Sequence, residues 1–111
     1  MENEKLLGEQ IVVFSWMGST FAAFDLFFSP DLRLRINKKS FWRISHGDTV
    51  LYSSADRMDD KRISEITRLL EGKTVKGVTE RRNGDIILRL NKNVKIELFS
   101  IGALERPTFI G

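Results

Sequence analysis

His46 and Asp48 stand two positions apart and form the single histidine–carboxylate proximity of the chain. Such a pair moves a proton usefully when a nucleophile or a metal completes the set. Gly47 lies between them, and Gly and Asp are good turn formers, so a polar turn is the preferred reading. Asp56, Asp59 and Asp60 form a second carboxylate group. Calcium loops take oxygen ligands from several alternating positions, whereas Arg57, Lys61 and Arg62 are interspersed here, so capping of a helix amino end is the preferred reading. The chain has no Gly-rich phosphate loop, HExxH or GxSxG motif. These residues specify no reaction. The expectation is a chain that is not an enzyme and takes no cofactor and no metal, with a small enzyme of unrecognised chemistry as an alternative.

A third group is basic. Arg33, Arg35, Lys38, Lys39 and Arg43 are interleaved with Phe41 and Trp42, and no acid falls between Asp31 and Asp48. On one strand face, Arg33 and Arg35 start from backbone positions roughly 7 Å apart. That stripe could hold phosphates while the aromatic rings stack on bases. The net charge of the whole chain is only +3, and solvated sheet faces commonly carry Arg and Lys. A solvated or protein-facing surface is therefore the preferred reading, with nucleic-acid binding as the alternative.

The elements that must position these residues come in two related sets. In Ile86 to Phe99, Ile86, Leu88 and Leu90 alternate with Ile87 and Arg89, the triplet Asn91, Lys92, Asn93 turns the chain, and Val94, Ile96 and Leu98 alternate with Lys95 and Glu97. Successive strand side chains point to opposite faces, so this is an antiparallel hairpin with one apolar face. Phe24, Leu26 and Phe28, the loop Ser29, Pro30, Asp31, and then Leu32, Leu34 and Ile36 repeat the pattern at a constant offset of 62. Upstream, Leu6 to Ile11 echoes Leu69 to Val75, with Gly8 matching Gly72 at an offset of 64. The two extra residues preserve which face each apolar side chain takes; a shift of one would not. Residues 1–111 are thus expected to form one domain with an internal duplication, about 6–36 and 69–99.

Strands are expected at Ile11 to Trp16 and Phe21 to Phe28. A membrane helix over Ile11 to Phe28 is disfavoured by Asp25, by the turn signal Gly18-Ser19-Thr20 and by the alternation. The outward face of the second strand is unusual, because Phe21, Ala23 and Phe27 share it with Asp25. Fully burying a Phe stabilises by roughly 1.5–3 kcal/mol, so this face is expected to be covered within the chain, or by a partner or second copy. A hairpin follows in which Phe41 to Ser45 and Thr49 to Ser53 flank a Gly-Asp turn, with Trp42 and Ile44 on one face and Phe41 and Arg43 on the other. One main helix is expected near 57–71, its stripe Ile63, Ile66, Leu69 and Leu70, capped by Asp56 or Asp59 and closed by Gly72. Lys73 to Arg82 is expected to be a strand with a bulge at Gly77, then a turn at Asn83-Gly84; Pro107 confines the strand-like Thr108 to Ile110 to a sheet edge or to irregular structure.

The length of 111 residues suits one domain with its own core, and the absence of cysteine excludes disulfides and thiolate chemistry. Met1 to Lys5 lacks the basic region that opens a secretory signal, so a cytoplasmic protein is expected. The segments GDTVLYSSAD and ITRLLEGKTVKGVTERRNGDIILRLNKNVKIELFS resemble small bacterial domains of unknown function, some of them immunity-protein-like. The resemblance spans roughly Trp42 to Ser100 and rests on turn glycines and core aliphatics, and the end of the chain departs from the aromatic-rich close of that pattern. It implies a non-catalytic domain that binds another protein and, in its sharpest form, neutralises a toxin. The resulting expectation is an α+β fold in which two antiparallel β-meanders make a half-barrel or sandwich. Its binding residues are expected among Phe21, Phe27, Arg33, Arg35, Trp42, Arg43 and His46, and its partner is another protein or a second copy, with nucleic acid as the alternative and no membrane.

Overall fold

Alternating apolar side chains give each strand one face that must leave water, and two sheets bury those faces against each other. The computed structural model describes residues 5–17, 24–36, 41–82 and 84–99, together with the backbone of 108–110. The elements are β1 (Val13–Trp16), β2 (Phe24–Ser29), β3 (Leu32–Ile36), β4 (Phe41–His46), β5 (Thr49–Ser53), α1 (Asp60–Leu70), β6 (Val75–Glu80), β7 (Ile86–Leu90), β8 (Val94–Phe99) and β9 (Thr108–Ile110). They form a four-stranded sheet in the order β1-β2-β3-β9 and a five-stranded sheet in the order β5-β4-β8-β7-β6, with every pairing antiparallel. This is an α+β fold of two meanders without a closed barrel. Among the described residues, no helix is long and apolar enough to cross a membrane.

The core is the sum of the inward positions. Phe24, Leu26, Phe28, Leu34 and Ile36 from the first meander are buried against Ile86, Leu88, Leu90, Ile96 and Leu98 from the second. An aromatic chain bridges the sheets: the Phe14 and Phe24 rings lie 5.2 Å apart, and Phe24 meets Trp42 edge-on at 5.1 Å. Trp42, expected among the binding residues, is only 2 % exposed and belongs to this core. Its position on the inward side of β4 gives it the largest apolar surface to bury.

The two meanders share one register. Phe24 faces Ile36 and Leu26 faces Leu34, as Ile86 faces Leu98 and Leu88 faces Ile96. Phe14 faces Leu26 and Trp16 faces Phe24, as Val78 faces Leu88 and Glu80 faces Ile86. The join between them is reciprocal. The Gly8 N–H donates to the Val75 carbonyl at 2.9 Å and the Gly72 N–H to that of Ile11 at 2.8 Å. The Ile11 N–H donates to the Lys73 carbonyl and the Val75 N–H to that of Glu9, both at 2.8 Å. Gln10 and Thr74 form a β-bridge at the centre. Each bond maps onto its counterpart when 64 is added to one residue and subtracted from the other.

The fourth strands are exchanged. After β3 the chain crosses to the other sheet, where β4 pairs with β8; after β8 it returns, and β9 pairs with β3. The pairs Arg35 with Thr108 and Leu34 with Phe109 correspond to Glu97 with Arg43 and Ile96 with Ile44.

Helix α1 lies within the predicted span but starts later. Asp59 is its N-cap and accepts from the Arg62 N–H at 2.8 Å, whereas Asp56 accepts from the Ser53 N–H at 2.9 Å and closes the turn after β5. Ile66 and Leu70 are buried, with Ile63 and Leu69 packed beside them. The bulge at Gly77 is present as a register shift in the β6–β7 pairing. β1 starts at Val13 and β2 at Phe24; Phe21, Ala23 and Asn83 lie outside the described residues.

Gly8 and Gly72 have φ of +82° and +90°, and a Cβ at either would meet no atom within 4 Å. An alanine there suffers from backbone conformation alone, at a cost of about 1–2 kcal/mol. Gly8→Ala and Gly72→Ala are therefore expected to lower urea-unfolding stability by similar amounts of that order, which equilibrium denaturation of both variants checks.

Candidate functional site

The outward positions of each sheet surround one buried carboxylate. In the four-stranded sheet this is Asp25 on β2, 3 % exposed. Arg35, directly opposite on β3, donates from Nε to Oδ1 at 3.0 Å and from a terminal nitrogen to Oδ2 at 3.1 Å. Arg33 adds a looser contact to Oδ2 at 3.7 Å and lies over the Phe27 ring, 5.6 Å from its centre. Hydrogen bonding to Asp25 raises the Arg35 pKa further above its ordinary value.

In the five-stranded sheet the carboxylate is Glu97 on β8, 6 % exposed. Arg43, opposite on β4, donates from Nε at 2.8 Å and from a terminal nitrogen at 3.0 Å, and the Lys95 amine stands 3.7 Å away. Those Arg43 hydrogen bonds hold the Glu97 carboxyl below its ordinary value, against the opposing effect of burial. Arg43 also covers Phe99, its guanidinium carbon 5.2 Å from the ring centre.

These pairings redistribute the predicted site. Arg33 and Arg35 belong to one sheet and Arg43 to the other, so they form no common stripe; Lys38 and Lys39 lie outside the described residues. Phe27 is half-buried beneath Arg33, and the expected site residue Phe21 is outside the described residues. His46 is exposed at the end of β4, and no hydrogen bond joins it to Asp48, whose place is in the two-residue turn to β5. Gly47 takes the positive φ of +59° at the first central position of that turn, as type II′ loops require.

What the structure does bring together is the outer face of the five-stranded sheet. Phe41 faces Phe99, Arg43 faces Glu97, and Ser45 faces Lys95; across the next pairing Glu97 faces Ile87, and Lys95 faces Arg89. Ser45, Glu97 and Ile87 at the centre are buried, whereas Arg43, Arg89, Phe41 (59 % exposed) and Val50 (49 % exposed) remain in contact with water. At one end of this face, a groove of about 500 Å³ is lined by Gly47, Asp48, Arg89, Asn93 and Lys95, with Leu90 and Val94. Lys95, Arg89 and Asn93 were absent from the predicted site. Their alternation signalled an outward face, but the pairing of β4 with β8 that adds Arg43 and Phe41 to it has no local signal. Tyr52 lies elsewhere, donating its hydroxyl to Glu65 on α1 at 2.7 Å.

Compared with protein-family models, curated proteins and solved structures, the chain shows no match.

Two outcomes test this electrostatic layout. Arg35→Leu is expected to cost about 3 kcal/mol, because it leaves the buried Asp25 carboxylate with only the looser Arg33 contact, and Arg33→Leu less; denaturant titration measures both. For Glu97, a folded-state pKa below the ordinary 4.5 means the unfolded chain binds the proton first. Its contribution is full above about 4.5 and is lost as pH falls through the folded-state value. Glu97→Gln should therefore flatten the acid limb of the stability–pH curve and leave its slope near neutrality unchanged.

Proposed function

We propose that this chain is a non-catalytic binding domain, that its partner is another protein in the cytoplasm, and that it docks through the outer face of the five-stranded sheet. The observation that carries this reading is Phe41, 59 % exposed on a strand whose inward neighbours Trp42 and Ile44 are buried. Fully burying a phenylalanine is worth roughly 1.5–3 kcal/mol, and Val50 beside β4 enlarges the apolar area available. The same face offers Arg43, and arginine and aromatic residues dominate the energetics of protein interfaces. The resemblance to immunity-like bacterial domains supports a sharper form, in which the bound protein is a toxin and binding blocks it. A second reading is nucleic-acid binding, favoured by the presence of Arg89 and Lys95 on the face that carries the Phe41 ring.

A photo-crosslinking residue at Phe41 is expected to give a discrete protein adduct in producing cells, and one at Arg68, exposed on α1, to give none. Phe41→Asp should abolish binding of the captured partner with the fold retained by circular dichroism. Adducts of nucleic acid at position 41, or equal adducts at both positions, would sink the protein-binding reading. Adducts of this chain with itself identify a second copy as the partner.

A further inference from the structure

Lys95 and Arg89 stand directly opposite each other on β8 and β7. Strands in a sheet are about 4.8 Å apart, and like charges facing each other across them are destabilising. Arg89 turns toward β6, where it donates to the Thr79 hydroxyl at 2.6 Å and lies beside Gly77, which relieves part of this opposition but supplies no opposite charge. No carboxylate pairs with Arg89 among the described residues. Lys95 reaches Glu97 only at 3.7 Å, and Glu97 is already held by two shorter bonds from Arg43. Among the described residues, the outer face therefore carries three cations, Arg43, Lys95 and Arg89, against one buried carboxylate.

Both opposed cations line the same groove of about 500 Å³, which Asn93 shares. Asn93 has a φ of +63° and Lys92 one of +58°, so the loop between β7 and β8 holds a fixed left-handed shape at the groove's edge. The Asn93 carbonyl accepts from the Gly47 N–H at 2.9 Å, which ties this loop to the β4–β5 turn and joins the groove's two rims. Asp48 is the single acid among the lining residues.

We infer that this groove receives acidic side chains of the protein partner, with Arg89 and Lys95 as their ligands and Phe41 at the far end of the face packing on an apolar residue of the same partner. The inference rests on the protein-binding reading above and adds the partner's chemistry to it. A bound carboxylate between Arg89 and Lys95 gives both cations an opposite charge, which no described carboxylate supplies to Arg89, and so favours the complex. Arg89 can present two parallel donors to a carboxylate, and Lys95 adds a point charge from the next strand.

Amide-resolved titration of the intact chain tests this with three probes: a peptide alternating Glu with Leu and Phe, the same peptide with Lys for Glu, and a twelve-residue single-stranded thymidine oligonucleotide. The expected result is saturable shifts at Arg89, Asn93, Lys95 and Phe41 with the acidic peptide, weakening as salt rises. Arg89→Glu combined with Lys95→Glu should weaken binding at least about tenfold, one close charge pair being worth that much or more. Equal binding of the lysine peptide, or indifference to the charge reversal, overturns the acidic partner but leaves the protein-binding reading if Phe41→Asp still abolishes binding. Tighter binding of the oligonucleotide, lost on charge reversal, overturns both. No binding of any probe at millimolar concentration overturns the acidic partner. As a control on folding, Arg89→Gln should leave the melting temperature nearly unchanged, because the partly exposed bond to Thr79 is lost together with an unpaired like charge; a clear fall would make Arg89 structural and overturn the inference.

Discussion

Four backbone hydrogen bonds between Gly8–Ile11 and Gly72–Val75 are the constraint on which the rest of the structure depends. They fix the start of β1 against the start of β6, and so set how one meander faces the other. With that join in place, Leu6 and Leu70 are both fully buried at equivalent positions, and Ile11 and Val75 lie beside them. The glycines are needed because the chain must turn at positive φ before each strand, where a side chain is strained. The exchange of β4 and β9 strengthens the same arrangement. Each sheet is completed by a strand from the other half, so neither half has a complete sheet without its counterpart.

Buried charge shows the same economy on both outer faces. Asp25 and Glu97 would be costly to bury alone, and each is met by an arginine through two hydrogen bonds on the neighbouring strand. Breaking such a pair strands the carboxylate, and a shift in strand register would do the same. The pairs thus reward one register at β2–β3 and one at β4–β8. Arg33, the second cation beside Asp25, also lies over Phe27, and Arg43 lies over Phe99, so both shield aromatic surface that the outward positions would otherwise expose. Phe41 receives no such cover among the described residues and stays 59 % exposed.

The sheet edges are closed by local means. The Phe14 N–H on β1 donates to the Glu71 carboxylate at 3.0 Å, just beyond α1. The Ser53 N–H at the end of β5 is taken by Asp56, and β5 also carries a register irregularity against β4. β6 is bulged at Gly77 and carries Lys76, and β9 is a short strand preceded by Pro107. The outer face of the five-stranded sheet carries apolar and cationic groups together, Phe41 and Val50 with Arg43, Arg89 and Lys95.

The alternation in Phe24 to Ile36 and Ile86 to Phe99 determined, from sequence alone, the hairpins, their inward residues and their matching offset, because a strand's side-chain period is local and a slip of one residue would expose every apolar group. The stripe of Ile63, Ile66, Leu69 and Leu70 likewise determined the helix, although which Asp caps it depended on the turn after β5. Only the tertiary structure decided that β4 joins β8 and β9 joins β3, that Arg33 and Arg35 serve Asp25 while Arg43 serves Glu97, and that Trp42 lies inside. Those outcomes depend on which distant strands become neighbours. Strand pairing is made by backbone groups common to all residues, and so leaves little trace in the order of the side chains.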